Sequence, residues 1–380
     1  MVPYPVDSSR GSSPLFEKIR DYYTKQDGTC STSTVNLAAD RPPVRGAVHV
    51  YVAPFYLSPT LRSTPLQSRD APAVIRARVR AVALSCLFST VVTVYVLTIH
   101  GQASPRDIAR LLGFWPFDPS DVARVLGLVA ILFAGPLYET FILNSAWRQL
   151  SITNLKAGLF ENWIGYRNLI IAPASEELVF RSLTISLYLL AKVRPTRIVF
   201  ITPLIFGLAH VHHLIEFLQS RTPPGKRSPP LPVWINGLIR TLFQFTYTSL
   251  FGFFAAFVFL RTGNVYAVTL AHSFCNWMGV PRVWGRVGQF AADYEGITPD
   301  VAQGKRDEDA GASAKVVGDS LALGERQEDS KAAYVRQAGP QNLGVGWTVM
   351  YYALMLMGSY GFYRMLWPLT ESSNSLAAFS

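Results

Sequence analysis

Apolar and polar residues along this 380-residue chain come in long blocks rather than in the short periods of a soluble fold. Runs of about 20 residues with few charges recur, the length a helix needs to cross the hydrocarbon core of a bilayer. They predict helices over 81–99, 122–143, 168–191, 198–218, 234–260 and 345–366, with a shorter one over 265–278. Gly135-Pro136 breaks the second run, and the first follows a basic stretch, RARVR (76–80), suited to an interface anchor. RDIARLLGFWPF (106–117) is amphipathic and ends in aromatics, the pattern of a helix lying in the membrane interface.

This pattern predicts an all-α, polytopic membrane helix bundle of about 7–8 transmembrane helices around an intramembrane cavity. Residues 1–60 are expected to form a polar, largely disordered tail with one degenerate hydrophobic segment, VHVYVAPFYLSP (48–59). Residues 61–284 are the expected membrane-embedded core, 285–342 a charged flexible loop, 343–370 the last membrane helix and 371–380 a short tail. RTPPGKRSPPLP (221–232) reads as a proline-rich loop within the core.

Composition agrees with the block pattern: 49% of residues are hydrophobic and 16% charged, against about a quarter charged in soluble domains. The net charge of +10 is spread over the segments between apolar runs. It forms no basic stripe interleaved with stacking aromatics, so the partner is a lipid bilayer and not nucleic acid. Cys30, Cys86 and Cys275 make no CxxC pair and indicate neither a disulfide framework nor a zinc site.

The informative residues are polar ones inside apolar runs, where a charge costs about 2.5–3.5 kcal/mol on insertion scales. APASEELVFRSL (172–183) carries three. Glu177 and Arg181 are four apart and share a helix face, so they read as a neutralising pair. Glu176 lies about 100° further round the helix, which leaves it for chemistry. FGLAHVHHLIE (206–216) brings His210 and His213 to one face and points His212 elsewhere, and LAHSFCNWMG (270–279) brings His272 and Asn276 to one face. Three helices that each offer polar groups inward can build a site between them.

No GxSxG elbow and no HExxH is present, and Cys275 in an apolar helix is expected to be inert. A carboxylate, two imidazoles and a carboxamide remain. Glu176 with His210 can deprotonate a water, and His272 with Asn276 can donate to an oxyanion, a set that suits amide hydrolysis. The same Glu and His residues are also an acceptable zinc ligand set. A non-catalytic membrane scaffold is the third reading. His212 and His213 are expected to support the site by hydrogen bonding.

EELVFR (176–181), FGLAH (206–210) and HSFCN (272–276) resemble the EExxxR, FxxxH and HxxxN motifs of the type II CAAX prenyl endopeptidases. These are the Ras-converting enzymes of the wider CAAX-protease and bacteriocin-processing family. The similarity runs over roughly 74–282 and extends to FQFTYTSLFGFFAAFVFLRTGNV. The resemblance implies an intramembrane glutamate-type protease of the endoplasmic reticulum. It would remove the last three residues of prenylated, farnesyl or geranylgeranyl, CAAX proteins such as Ras-like GTPases. By the same resemblance Glu176, His210, His272 and Asn276 are catalytic and no metal or other cofactor is needed; Glu177 and Arg181 as a neutralising pair, and His213 by hydrogen bonding, are expected to support them.

Overall fold

Every long apolar run is a helix in the computed structural model, which describes residues 14–25, 70–149, 151–222, 225–287, 343–377 and 379. No strand occurs among these residues. The principal helices, apart from short helical pieces between Ala134 and Tyr166, are α1 (Pro14–Lys25), α2 (Pro72–Ile99), α3 (Pro105–Leu111) and α4 (Pro119–Leu132). Next come α5 (167–190), α6 (Pro195–Ala209) and α7 (His212–Ser220). The last three are α8 (Leu231–Thr262), α9 (Val265–Met278) and α10 (Val345–Leu369). Pro72, Pro105, Pro119 and Pro195 each stand in a first turn, where a missing N–H costs no hydrogen bond.

Among the described residues, three helical stretches are long and apolar enough to cross a membrane: Pro72–Ile99, Pro195–Gln219 and Leu231–Thr262. A fourth results if Pro119–Leu132 and Ala134–Leu143, bent by 82° at their junction, count as one span. The chain is therefore a polytopic membrane helix bundle, with fewer crossings of full length than the seven or eight expected. α9 has only 14 residues, α5 is interrupted by wider turns, and α10 is diluted by Tyr, Trp and Gly. The segment 48–59 and residues 288–342 of the charged insert lie outside the described residues.

Close helix approaches hold the bundle together. α6 and α7 run antiparallel to α8, with Gly207 against Phe245 and Ser249, Gly237 against Leu214 and Phe217, and Gly252 against Pro203. α10 crosses the bend after α4, where a Cβ on Gly358 would sit 2.3 Å from the Ile131 carbonyl oxygen. α1 falls inside the stretch expected to be a disordered tail, yet it is a helix. Phe16, Ile19 and Tyr23 recur at helical spacing and are buried. Asp107 of α3 accepts from the Phe16 N–H at 3.3 Å, and the Tyr23 hydroxyl donates to the Val193 carbonyl at 2.8 Å. Burial pushes the Tyr23 phenol well above its ordinary range, so it stays a donor.

The turn RTGN (261–264) sets the register of α9. Gly263 ends α8 at φ +57°, the Thr262 hydroxyl donates back to Val258 at 2.8 Å, and Asn264 caps α9 by accepting from the Ala267 N–H at 3.1 Å. The C-terminal segment closes over this turn, with the Leu376 N–H donating to the Leu260 carbonyl at 2.8 Å. A Cβ on Gly263 would lie 2.3 Å from the Asn374 carbonyl oxygen. Gly263→Ala is therefore expected to cost at least about 1–2 kcal/mol from the left-handed backbone alone. Thermal unfolding of the detergent-solubilised protein measures this as a lowered Tm.

Candidate active site

Two widened turns in α5 place its charges. Pro173 has no N–H to give back to the preceding turn, and residues Arg167–Ile171 just before it form a π-helical turn. Glu176 and Glu177 end the α-helical piece Ala172–Glu177, and Leu178–Leu183 is again π-helical. Such single-turn π segments concentrate at functional sites. The expected pair forms: Arg181 Nη1 donates to Glu177 Oε1 at 3.0 Å, with both side chains essentially inaccessible. The guanidinium carbon also lies 4.3 Å from the centroid of the Phe206 ring and 5.7 Å from that of Phe251, a cation–π contact that strengthens away from water.

The histidines stand at a break between α6 and α7. Here the helix tightens to i−3 bonds, from the His210 N–H to the Gly207 carbonyl and from the His213 N–H to the His210 carbonyl, both at 3.0 Å. The tightening releases the carbonyls of Phe206 and Ala209 from their usual partners. Side chains take them up: His210 Nδ1 lies 2.9 Å from Phe206 O, and His212 Nδ1 lies 2.6 Å from Ala209 O. A carbonyl only accepts, so both Nδ1 atoms carry the proton and Nε2 is left with its lone pair. His212 was expected to point away from His210, but the break turns it into the wall of the same cavity. His213 Nδ1 lies 3.3 Å from Glu216 Oε2, and Arg78 Nη2 donates to Glu216 Oε1 at 2.6 Å.

α9 completes the arrangement. His272 Nδ1 lies 2.7 Å from Glu177 Oε1, so Glu177 receives both Arg181 and His272 and fixes the imidazole's tautomer and direction. The opposite nitrogen, Nε2, faces Glu176 Oε2 at 3.8 Å. The Phe251 ring packs against the imidazole with 4.6 Å between centroids. One turn on, Asn276 Nδ2 donates to the Asn168 carbonyl at 3.0 Å, which holds the carboxamide while leaving its second N–H for another acceptor.

Glu176, His210, His213, His272 and Asn276 all line one cavity of about 550 Å³, within the usual size range of ligand pockets. Its other walls are mainly aliphatic and aromatic, supplied by α2, α4, α5, α6 and α8. Glu177 and Arg181 lie behind the wall, where Glu177 contacts His272. Among the described residues, the one group of three His, Cys, Asp or Glu ligand atoms lying within 4.8 Å of one another is His212, His213 and Glu216, not Glu176 with His210 and His272. In that group the Arg78 guanidinium already serves Glu216 as its cation. Sequence reasoning takes Phe206 only as part of the FxxxH motif and Arg78 only as part of an interface anchor, and it assigns no place at the site to Phe206, Phe251 or Arg78. The two phenylalanines needed the packing of α6 and α8, whereas a basic residue heading an apolar run was a visible signal.

Arg181→Met should leave the Glu177 carboxylate buried with less compensation, at a cost of about 3–5 kcal/mol. The double variant Arg181→Met with Glu177→Gln removes both charges and should recover most of that loss. Comparing the unfolding midpoints of the single and double variants measures the coupling.

Known proteins resemble this chain over the same region. The family model "Type II CAAX prenyl endopeptidase Rce1-like" matches residues 158–278, which hold Glu176, His210, His213, His272 and Asn276. "Probable CAAX prenyl protease 2" of Schizosaccharomyces pombe is 35% identical over 239 residues, covering 63% of this chain and 80% of that protein. "CAAX prenyl protease 2" of Homo sapiens is 33% identical over 222 residues, covering 57% and 64%. The Arabidopsis thaliana protein of the same name is 32% identical over 254 residues, covering 62% and 77%. No solved structure matches. An all-helical membrane bundle, a polar constellation inside it and relatives aligned across both place the chain in one family: it belongs to the type II CAAX prenyl endopeptidases.

Proposed function

We propose that this protein is an intramembrane endopeptidase that removes the C-terminal aaX tripeptide from prenylated CAAX proteins. Ras-like GTPases are the substrate class and the endoplasmic reticulum membrane the location that fit this reading. The observation that carries it is the meeting of Glu176 Oε2 with His272 Nε2 at 3.8 Å in a cavity that also presents His210 and Asn276. Apolar walls around four polar groups suit a peptide whose cysteine bears a prenyl chain.

In the proposed reaction a water in the cavity gives a proton to Glu176, with His210 Nε2 as a second acceptor that orients it. The hydroxide adds to the scissile carbonyl carbon. When His272 Nε2 carries a proton it donates to the resulting oxyanion, and the Asn276 carboxamide supplies a second donor. Before the water is deprotonated, Glu177 and Glu176 on either side of the ring offset a positive imidazole; once Glu176 holds the proton, Glu177 and the oxyanion do so. Collapse breaks the C–N bond, and the proton held by Glu176 passes to the departing tripeptide amine. Prenylcysteine is left with a new carboxylate, and the enzyme returns to its starting state.

Single substitutions test these roles on a farnesylated CAAX peptide. Glu176→Ala and His210→Ala should abolish cleavage while the protein stays folded. His272→Ala and Asn276→Ala should each lower kcat by about 10²–10³-fold, the cost of one oxyanion donor. Near-normal turnover by Glu176→Ala would remove the assignment. The unprenylated peptide should be a poor substrate, and equal cleavage of both would contradict the substrate class.

A further inference from the structure

Glu176, His210, His272 and Asn276 gather where a bond would break, and none of them accounts for how the rest of a peptide is held. α8 forms a long wall of the cavity with Gln244, Tyr247, Thr248 and Phe251, residues spaced three, four and seven apart and so on one helix face. Three of them have evident occupations. Phe251 packs on His272, the Thr248 hydroxyl donates to the Gln244 backbone carbonyl at 2.8 Å, and Tyr247 has an interaction partner.

Gln244 is different. It is only 6% exposed and lines the cavity, yet its carboxamide makes no hydrogen bond to any described residue. An amide brings two donor hydrogens and an acceptor oxygen, and here they open onto the cavity rather than onto protein partners. Buried polar side chains in a membrane-embedded bundle mark the path of a ligand.

We propose that Gln244 is a substrate-binding residue whose carboxamide pairs with the backbone of the peptide's aaX segment. Its oxygen accepts the N–H and its NH₂ donates to the carbonyl of one extended residue, the two groups that such a residue points to the same side. Phe251, which packs on His272, lies seven residues on, about 10 Å along the helix axis, so Gln244 lies toward the His210 side of the site. The antiparallel contacts of Gly207 with Phe245 and Ser249, and of Gly237 with Leu214 and Phe217, put Gln244 level with the His210 turn. The inference rests on the peptidase reading given above.

The test uses the full-length, detergent-purified protein and farnesylated CAAX peptides in which each amide of the aaX segment, other than the scissile one, is replaced in turn by an ester that lacks the N–H. Gln244→Leu should lower kcat/KM about tenfold, the worth of one substrate hydrogen bond, with Tm unchanged or raised. A structural role would instead lower Tm. One ester substitution should lower the wild-type kcat/KM by a similar factor and cost Gln244→Leu nothing further. Gln244→Met serves as the second variant should Gln244→Leu fail to fold. Wild-type kcat/KM in the folded variant, or equal ester penalties in wild type and variant, would overturn the assignment and leave the peptidase reading standing. Failure of the wild type to cleave any of the farnesylated peptides would overturn the peptidase reading itself, and this inference with it.

Discussion

The Glu177 carboxylate has to be neutralised where it stands, because no water reaches it inside the bundle. Arg181, one helical turn away, supplies the charge at 3.0 Å, and His272 supplies a second donor at 2.7 Å from another helix. A buried pair of this kind gains little net stability by itself, since desolvation offsets most of its attraction. Its value is geometric. It fastens α5 to α9 through one oxygen atom and determines which imidazole nitrogen of His272 faces the cavity.

Several features of the sequence follow from that fastening. Phe206 and Phe251 sit against the guanidinium and extend the apolar enclosure around it. Gly252 brings α8 within reach of Pro203 and Arg181. The RTGN turn then fixes how far along α9 the ring of His272 falls, and Asn276 follows one turn later. Glu176 is the neighbour of a fully committed carboxylate, and that adjacency places two carboxylates with different surroundings side by side. Glu177 has 0% side-chain exposure and Glu176 16%.

Much of this was legible from spacing. The four-residue separation of Glu177 and Arg181 gave their pairing, and that of His272 and Asn276 gave a shared face. The apolar runs gave every long helix, and Gly135-Pro136 gave the bend. Contacts across many residues were not legible: Glu177 to His272 spans 95 positions, and nothing local in either segment specifies the other. Departures from the regular α-helical period were hidden as well. The i−3 bonds at His210 and Val211 rotate His212 into the cavity wall, against a projection made with 3.6 residues per turn. The polar character of residues 14–25 concealed a helix, although Phe16, Ile19 and Tyr23 held the pattern. Gln244 escaped notice because a single glutamine in an aromatic run carries no spacing signal.

The arrangement leaves one chemical question at its centre, namely whether Glu176 activates water or attacks the carbonyl itself. Its carboxylate faces an imidazole nitrogen across 3.8 Å, which suits a base working beside an oxyanion donor. A single-turnover cleavage of a farnesylated CAAX peptide in H₂¹⁸O, with excess enzyme and mass analysis of both product and protein, separates the two. Direct hydrolysis predicts one ¹⁸O atom in the new prenylcysteine carboxylate and none in the peptide containing Glu176. Label on Glu176, or an unlabelled product, would contradict the account.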